Sequence, residues 1–226
     1  MNSQNNFILV NKPKGWTSLD VVKYYKKILR VKKIGHGGTL DPLAEGLLIL
    51  AINKNTKKLA QILCLSKVYE FEILFGLKSE TGDMEGKALE EAKSVIVDKN
   101  ELVFCLKKLI GNIELTVPKY SAVKIKGKKL YALARKGKID NDIILPIRKS
   151  QIYSLHLRKI YKLKNKQIAK IIVECSSGTY IRSLVEKIGE LLNIPTVAYS
   201  IKRTKIGDFD LKNAESIKFN GVSDGN

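Results

Sequence analysis

Six apolar residues in unbroken succession, Leu47-Leu48-Ile49-Leu50-Ala51-Ile52, constrain this chain more than any other feature. A run this short, with no polar residue at alternate positions, reads as a central strand covered on both faces. It therefore demands packed layers on either side of a sheet. Directly before it lies Gly35-His36-Gly37-Gly38-Thr39-Leu40-Asp41-Pro42-Leu43-Ala44-Glu45-Gly46, a glycine-rich loop that suspends a single carboxylate, Asp41. Pro42 fixes the next bond and biases Asp41 away from the helical region, so its side chain leaves a bent backbone. The loop looks built to present something, although an aspartate ahead of a proline also serves as a plain side-chain turn.

Other elements follow from periodicity. Phe7 to Asn11 reads as a short strand ended by the Lys12-Pro13-Lys14-Gly15 turn. Thr17-x-x-Asp20 resembles a capping box for a helix to about Arg30, with Leu19, Val22, Tyr25, Ile28 and Leu29 as its apolar stripe. Leu59, Ile62 and Leu63 suggest a second helix. Val68 to Phe75 alternates as a half-buried strand, with Tyr69, Phe71, Ile73 and Phe75 on one face. Asp98 opens a further helix through Leu102, Cys105, Leu106 and Leu109, with Gly111 placed to end it. Ile168 to Cys175 is another strand, and Ser176-Ser177-Gly178-Thr179 leads into a helix that Thr179 is expected to cap. Strands and helices intersperse without a regular βαβ beat, which favours a mixed α+β sheet protein. One continuous catalytic-type domain is expected over residues 6–210, with a short tail at 211–226.

Lysine and arginine number 41 against 22 acidic residues, a net charge of +19, and an excess of this size favours a polyanionic partner, nucleic acid first. The densest basic segment is residues 119–149, where Lys124, Lys126, Lys128, Lys129, Arg135 and Arg148 accompany Tyr120 and Tyr131. Cations interleaved with aromatic rings suit the gripping of a nucleic-acid backbone. A solvated lysine-rich hairpin gives the same composition. Cys64, Cys105 and Cys175 are scattered, no Cys-x-x-Cys pair occurs, and His36 and His156 are the only histidines, so no metal site is legible. Scattered thiols, no signal-peptide pattern at Met1 to Phe7, and no apolar run near 18 residues together suggest a cytoplasmic protein without a helical membrane span.

Several separated segments then come in one order. They are Val10-Asn11-Lys12-Pro13-Lys14-Gly15-Trp16-Thr17-Ser18, the Asp41 loop, Lys67-Val68-Tyr69 with Gly76, Thr81, Asp83 and Gly86, Ser121-Ala122-Val123-Lys124, Leu130 to Arg135, and Ser177-Gly178-Thr179-Tyr180-Ile181-Arg182-Ser183. From Val10 to Phe209 the chain resembles the bacterial tRNA pseudouridine-55 synthases of TruB type. The resemblance implies the pseudouridine synthase fold, a mixed and largely antiparallel central sheet flanked by helices, with a basic RNA-gripping insertion. It implies an isomerase that acts on uridine 55 in the TΨC loop of tRNA without metal or other cofactor, as a monomer.

Carried over residue by residue, Asp41 looks like the nucleophile, Tyr69 the ring that stacks on the flipped base, and Arg182 the partner of the carboxylate. His36, Tyr180 and Ile201 match substrate-binding positions, and Lys124, Lys128, Lys129 and Arg135 fall in the RNA-gripping segment. Periodicity alone makes Tyr69 a core residue, and Arg182 is equally suited to an i to i+4 pair with Glu186. Leu115-Thr116-Val117-Pro118 departs from the family's usual two prolines, which leaves the path of the basic insertion open. The stop soon after Phe209 leaves too little chain for the C-terminal RNA-binding domain of many relatives, so the insertion is expected to carry more of the grip. A non-catalytic tRNA-binding or tRNA-folding protein on the same fold is the competing reading.

Overall fold

The computed structural model describes residues 7–125, 127–134 and 144–217. By internal contacts the chain forms two compact units, Met1–Lys67 with Lys202–Asn226, and Val68–Ile201.

The first unit opens with β1 (Phe7–Lys12), followed by α1 (Ser18–Leu29), β2 (Ile34–His36), β3 (Glu45–Ile52) and α2 (Leu59–Cys64). α1 starts where Thr17 accepts from the Asp20 amide while the Asp20 carboxylate reaches back to the Thr17 amide, the reciprocal capping box expected. Its buried face is Ser18, Val21, Val22 and Tyr25, whereas Leu19 and Ile28 are each 55% exposed. The stripe expected from Leu19 and Ile28 is thus rotated, because small Ser18 packs inward and makes hydrogen bonds there.

β3 is buried on both faces as its composition requires. Leu48 and Leu50 join Val10, Val21, Val22 and Tyr25 in one cluster, and Leu47 and Ile49 join Ile62 and Ile206 in another. The latter residues lie fully out of solvent apart from Ile62. Burying four such side chains is worth roughly 6–12 kcal/mol before entropy is counted.

β4 (Lys67–Phe75) enters the second unit at Val68, and that unit continues through β5 (Leu77–Ser79), β6 (Ala88–Glu91), α3 (Lys99–Lys108) and β7 (Gly111–Thr116). Then come the short β8 (Lys124–Ile125), β9 (Lys128–Lys129) and α4 (Leu130–Ala134), the hairpin of β10 (Ile147–Leu163) and β11 (Lys166–Cys175), α5 (Ile181–Leu192) and β12 (Thr196–Ile206). β12 runs through the division between units at Ile201. The chain returns to the first unit with β13 (Phe209–Asp210) and β14 (Glu215–Ser216), which pairs parallel to β1.

Strand order is β14-β1-β3-β12 in the first unit and β12-β4-β11-β10-β7 in the second, and β2 and β13 pair with β3 and β12. Among the described pairings β1 with β14 and β3 with β12 run parallel, whereas β1 with β3, β10 with β11 and β10 with β7 run antiparallel, so the large sheet is mostly antiparallel, in a mixed α+β chain. The residues at 211–216, expected as tail, supply a 3-10 turn and this edge strand.

Two differences concern the basic segment and α5. Arg148 and Lys149 are strand residues, opposite Leu115 and Glu114 of β7, and the Val117 amide donates to the Pro146 carbonyl at 2.8 Å. That pairing closes the base of the segment and gives the single-proline stretch a path. Thr179 does not cap α5: its hydroxyl donates to the Ser176 carbonyl at 2.9 Å, and Tyr180 holds the N-cap position without a side-chain bond. The local turn outcompetes the cap because Ser176 is three residues back with a free acceptor.

Candidate active site

Asp41 sits in a loop held almost entirely through main-chain atoms. The Leu40 amide donates to Ser18 Oγ at 2.8 Å, and the same hydroxyl donates to the Leu40 carbonyl at 3.1 Å. On the other side of Asp41, the Pro42 carbonyl accepts from the Gly15 amide at 2.8 Å and from Lys12 Nζ at 3.4 Å. Lys12 is wholly buried and also donates to the carbonyls of Pro13 and Trp16. The Asp41 carbonyl accepts from the Ala44 amide at 3.1 Å, closing a tight turn, and the residue itself is half-buried.

A third clamp comes from Arg203 on β12, only 1% exposed. Its Nε donates to the Leu47 carbonyl at 2.8 Å, Nη2 to Gly38 at 3.0 Å and Nη1 to Thr39 at 3.4 Å. A planar guanidinium spreads its donors over three nitrogens, so each of these carbonyls meets a different one. Gly46 pairs with Arg203 across the parallel strands, and a Cβ there would lie 2.4 Å from the Arg203 carbonyl at φ +104°. Only glycine permits both the approach and the backbone.

His36 ends β2 in the same unit, half-buried, with Nδ1 enclosed and unpartnered among the described residues. Burial first, and then the charge of Arg203, hold its imidazole below the ordinary 6.5. It is therefore neutral at pH 7. Because the folded value lies below the unfolded one, the contribution of His36 to stability is complete above about pH 6.5 and is lost as pH falls through the folded value. A proton NMR titration should give a His36 midpoint below 6.5, and a midpoint at or above that figure contradicts the assignment.

In the second unit Tyr69 is 8% exposed on β4, on the same face as the fully buried Phe71 and Ile73. Arg182 is the second residue of α5 and 4% exposed. Its Nη1 donates to the Thr81 carbonyl at 2.6 Å, its Nη2 to the Tyr120 carbonyl at 2.9 Å, and its Nε lies 3.7 Å from Asp83 Oδ2. The i to i+4 pair with Glu186 does not form, since Glu186 meets Lys78 at 3.5 Å.

Asp83, to which sequence reasoning gave no role, is itself buried and accepts from the Thr81 hydroxyl and the Glu85 amide. Its signal was the compact Thr81-Gly82-Asp83 turn. A cleft of about 510 Å³ is lined by Thr81, Gly82, Tyr120 and Arg182 among others. Tyr180 is half-buried beside Arg182, and Ile201 is 5% exposed on β12.

Lys124 and Lys129 face each other on β8 and β9, and Lys128 is exposed beside them. Arg135 lies outside the described residues. Among those described, no group of three or more metal-ligating side chains occurs, and no helix is long and apolar enough to cross a membrane.

Residues 26–181 match the family model of the TruB family pseudouridylate synthase N-terminal domain. The chain belongs to this TruB family. It is an enzyme family of pseudouridine synthases, and this membership makes the chain an isomerase. A curated relative from Caldicellulosiruptor saccharolyticus, named tRNA pseudouridine synthase B, is 43% identical over 216 residues, covering 95% of this chain and 72% of the relative. One of the same name from Clostridium tetani is 40% identical over 214 residues, with the same coverage. Among solved structures, a Cbf5-Nop10-Gar1 complex aligns with 26% identity and a TM-score of 0.71 over 93% of this TruB-family chain. The chain spans 52% of that protein's length. A second, an H/ACA RNP bound to a substrate RNA containing 2'-deoxyuridine, is 24% identical with a TM-score of 0.67 over 93% of this chain and 50% of its own, and shares the fold.

Proposed function

We propose that this chain converts the uridine at position 55, in the TΨC loop of tRNA, to pseudouridine, as a cytoplasmic monomer that needs no cofactor. The observation that carries the reading is the triple backbone clamp on the Asp41 loop, which leaves one half-exposed carboxylate on a fixed turn. The names of the relatives, tRNA pseudouridine synthase B, point to tRNA as the RNA.

The chemistry is an isomerisation. The bond from ribose C1′ to uracil N1 breaks, a bond from C1′ to C5 forms, and the proton lost from C5 is balanced by one gained at N1. The base must first leave its stack, at a cost of a few kcal/mol, and stacking on an aromatic face such as Tyr69 returns part of it.

Asp41 acts as the nucleophile, with Arg182 as the guanidinium partner of its carboxylate. Arg182 is prepared for such a role by its own fixed position, with two backbone carbonyls and Asp83 holding the fork. His36, Tyr180 and Ile201 bind the substrate nucleotide, and Lys124, Lys128, Lys129 and Arg135 grip the RNA backbone by charge.

An unmodified tRNA transcript incubated with the protein should gain one pseudouridine, at position 55, and a transcript carrying cytidine there should gain none. Product at another uridine rejects the proposed site. Binding without product in either transcript favours the tRNA-binding or tRNA-folding reading.

A further inference from the structure

The β10–β11 hairpin carries a second concentration of positive charge, separate from the 119–149 segment. Between Asp142 and Glu174 the chain has no acidic residue. The distal half of the hairpin holds Arg158, Lys159, Lys162, Lys164, Lys166 and Lys170. Two of these are matched by carboxylates, Lys166 by Glu91 and Lys170 by Glu70 at 2.8 Å. The other four are exposed and, among the described residues, have no carboxylate partner; Lys159 instead lies 4.7 Å above the Tyr161 ring. Desolvating no acid and ordering no ion pair, they remain available to an external polyanion.

Their distance along the strand from the loop that leads to Tyr180 is the informative quantity. The loop that leads to Tyr180 leaves β11 beside Gln151, where the Ser176 amide donates to the Gln151 carbonyl at 2.8 Å and the Gln151 amide to Ser176 Oγ at 3.0 Å. From Gln151 to Lys162 is about eleven strand residues, on the order of 30 Å. Lys164 forms the tight turn beyond, at φ 53° between the paired Leu163 and Lys166. Charged residues on an edge strand also deter sheet-to-sheet pairing, and β10 beyond Ile152 has no β7 partner. That device accounts for strand lysines but gives no reason for a lysine in the turn.

We propose that the distal β10–β11 hairpin is a second RNA-contact surface, binding the phosphate backbone of tRNA outside the loop that is modified, with its turn about 30 Å along β10 from the strand end beside the Tyr180 loop. The inference rests on the tRNA reading above and adds a partner surface to it. Each unpaired cation that meets a phosphate releases a counterion, so the contact should show as salt dependence.

The test is the triple variant K159E/K162E/K164E, with thermal unfolding confirming an intact fold, measured against full-length tRNA and against an isolated T-arm stem-loop over a range of salt concentrations. Full-length tRNA should bind about 10-fold or more weakly, with a log–log salt slope shallower by about 2–3. Stem-loop affinity and kcat on the stem-loop should match the unsubstituted protein. Unchanged binding of full-length tRNA, or an equal loss on both RNAs, overturns the distant contact. Failure of the functional reading looks different: no pseudouridine forms on either RNA with the unsubstituted protein, whatever the variant does to binding.

Discussion

Asp41→Asn should lower pseudouridine formation by about 10⁴-fold or more, the scale on which enzymes lose rate when a nucleophile or its activating partner is removed. tRNA affinity should stay within a few fold. The substitution keeps the side-chain volume and removes the negative charge. It also leaves the loop in place, because the contacts that hold residues 38–47 use carbonyls and amides: Leu40 on Ser18, Pro42 on Gly15 and Lys12, Gly38, Thr39 and Leu47 on Arg203. Single-turnover assays on an unmodified transcript, with filter binding alongside, separate chemistry from affinity. Undiminished turnover rejects Asp41 as the nucleophile. A parallel loss of binding and melting temperature instead assigns it to the loop's structure.

Arg203→Met should cost about 3–5 kcal/mol of stability, read from denaturant midpoints. Methionine fills similar space, so the loss is not mainly a cavity. The Leu47 carbonyl loses its donor in the buried interior, where an unsatisfied acceptor costs about 1–3 kcal/mol, and the part-buried Gly38 and Thr39 carbonyls lose theirs as well. Arg203→Lys should recover only part, since one ammonium on a flexible stem cannot reach Leu47, Gly38 and Thr39 together. Full recovery by lysine, or an unchanged midpoint in the methionine variant, removes Arg203 from the clamp.

Much of this architecture is legible in the amino-acid order, and the gaps have physical causes. The capping box at Thr17, the doubly buried β3 and the alternation of β4 depend on neighbours in the chain, and local pattern finds them. β10 escapes because its register shifts between Ile152 and Ser154 and again between Leu157 and Lys159, so the buried Ser150, Ile152 and Leu155 do not keep a two-residue period. β12 escapes because it buries a charged residue: Arg203 reads as a surface cation until the carbonyls that receive it are known. The same applies to Lys12, wholly buried yet outwardly an ordinary turn lysine. For the site, the family resemblance assigns a role to Arg182 and includes Asp83 without one, because the contact by which Asp83 anchors that guanidinium spans about a hundred residues and leaves no local pattern.

The donors around the Asp41 turn recognise backbone, so they are indifferent to which side chains the clasped residues carry. Thr39, exposed and addressed only through its carbonyl, is free to drift under mutation, while Ser18, Lys12 and Arg203 are not. Substitution at Thr39 should therefore be tolerated, and constancy is expected of the distant side chains that fasten the turn.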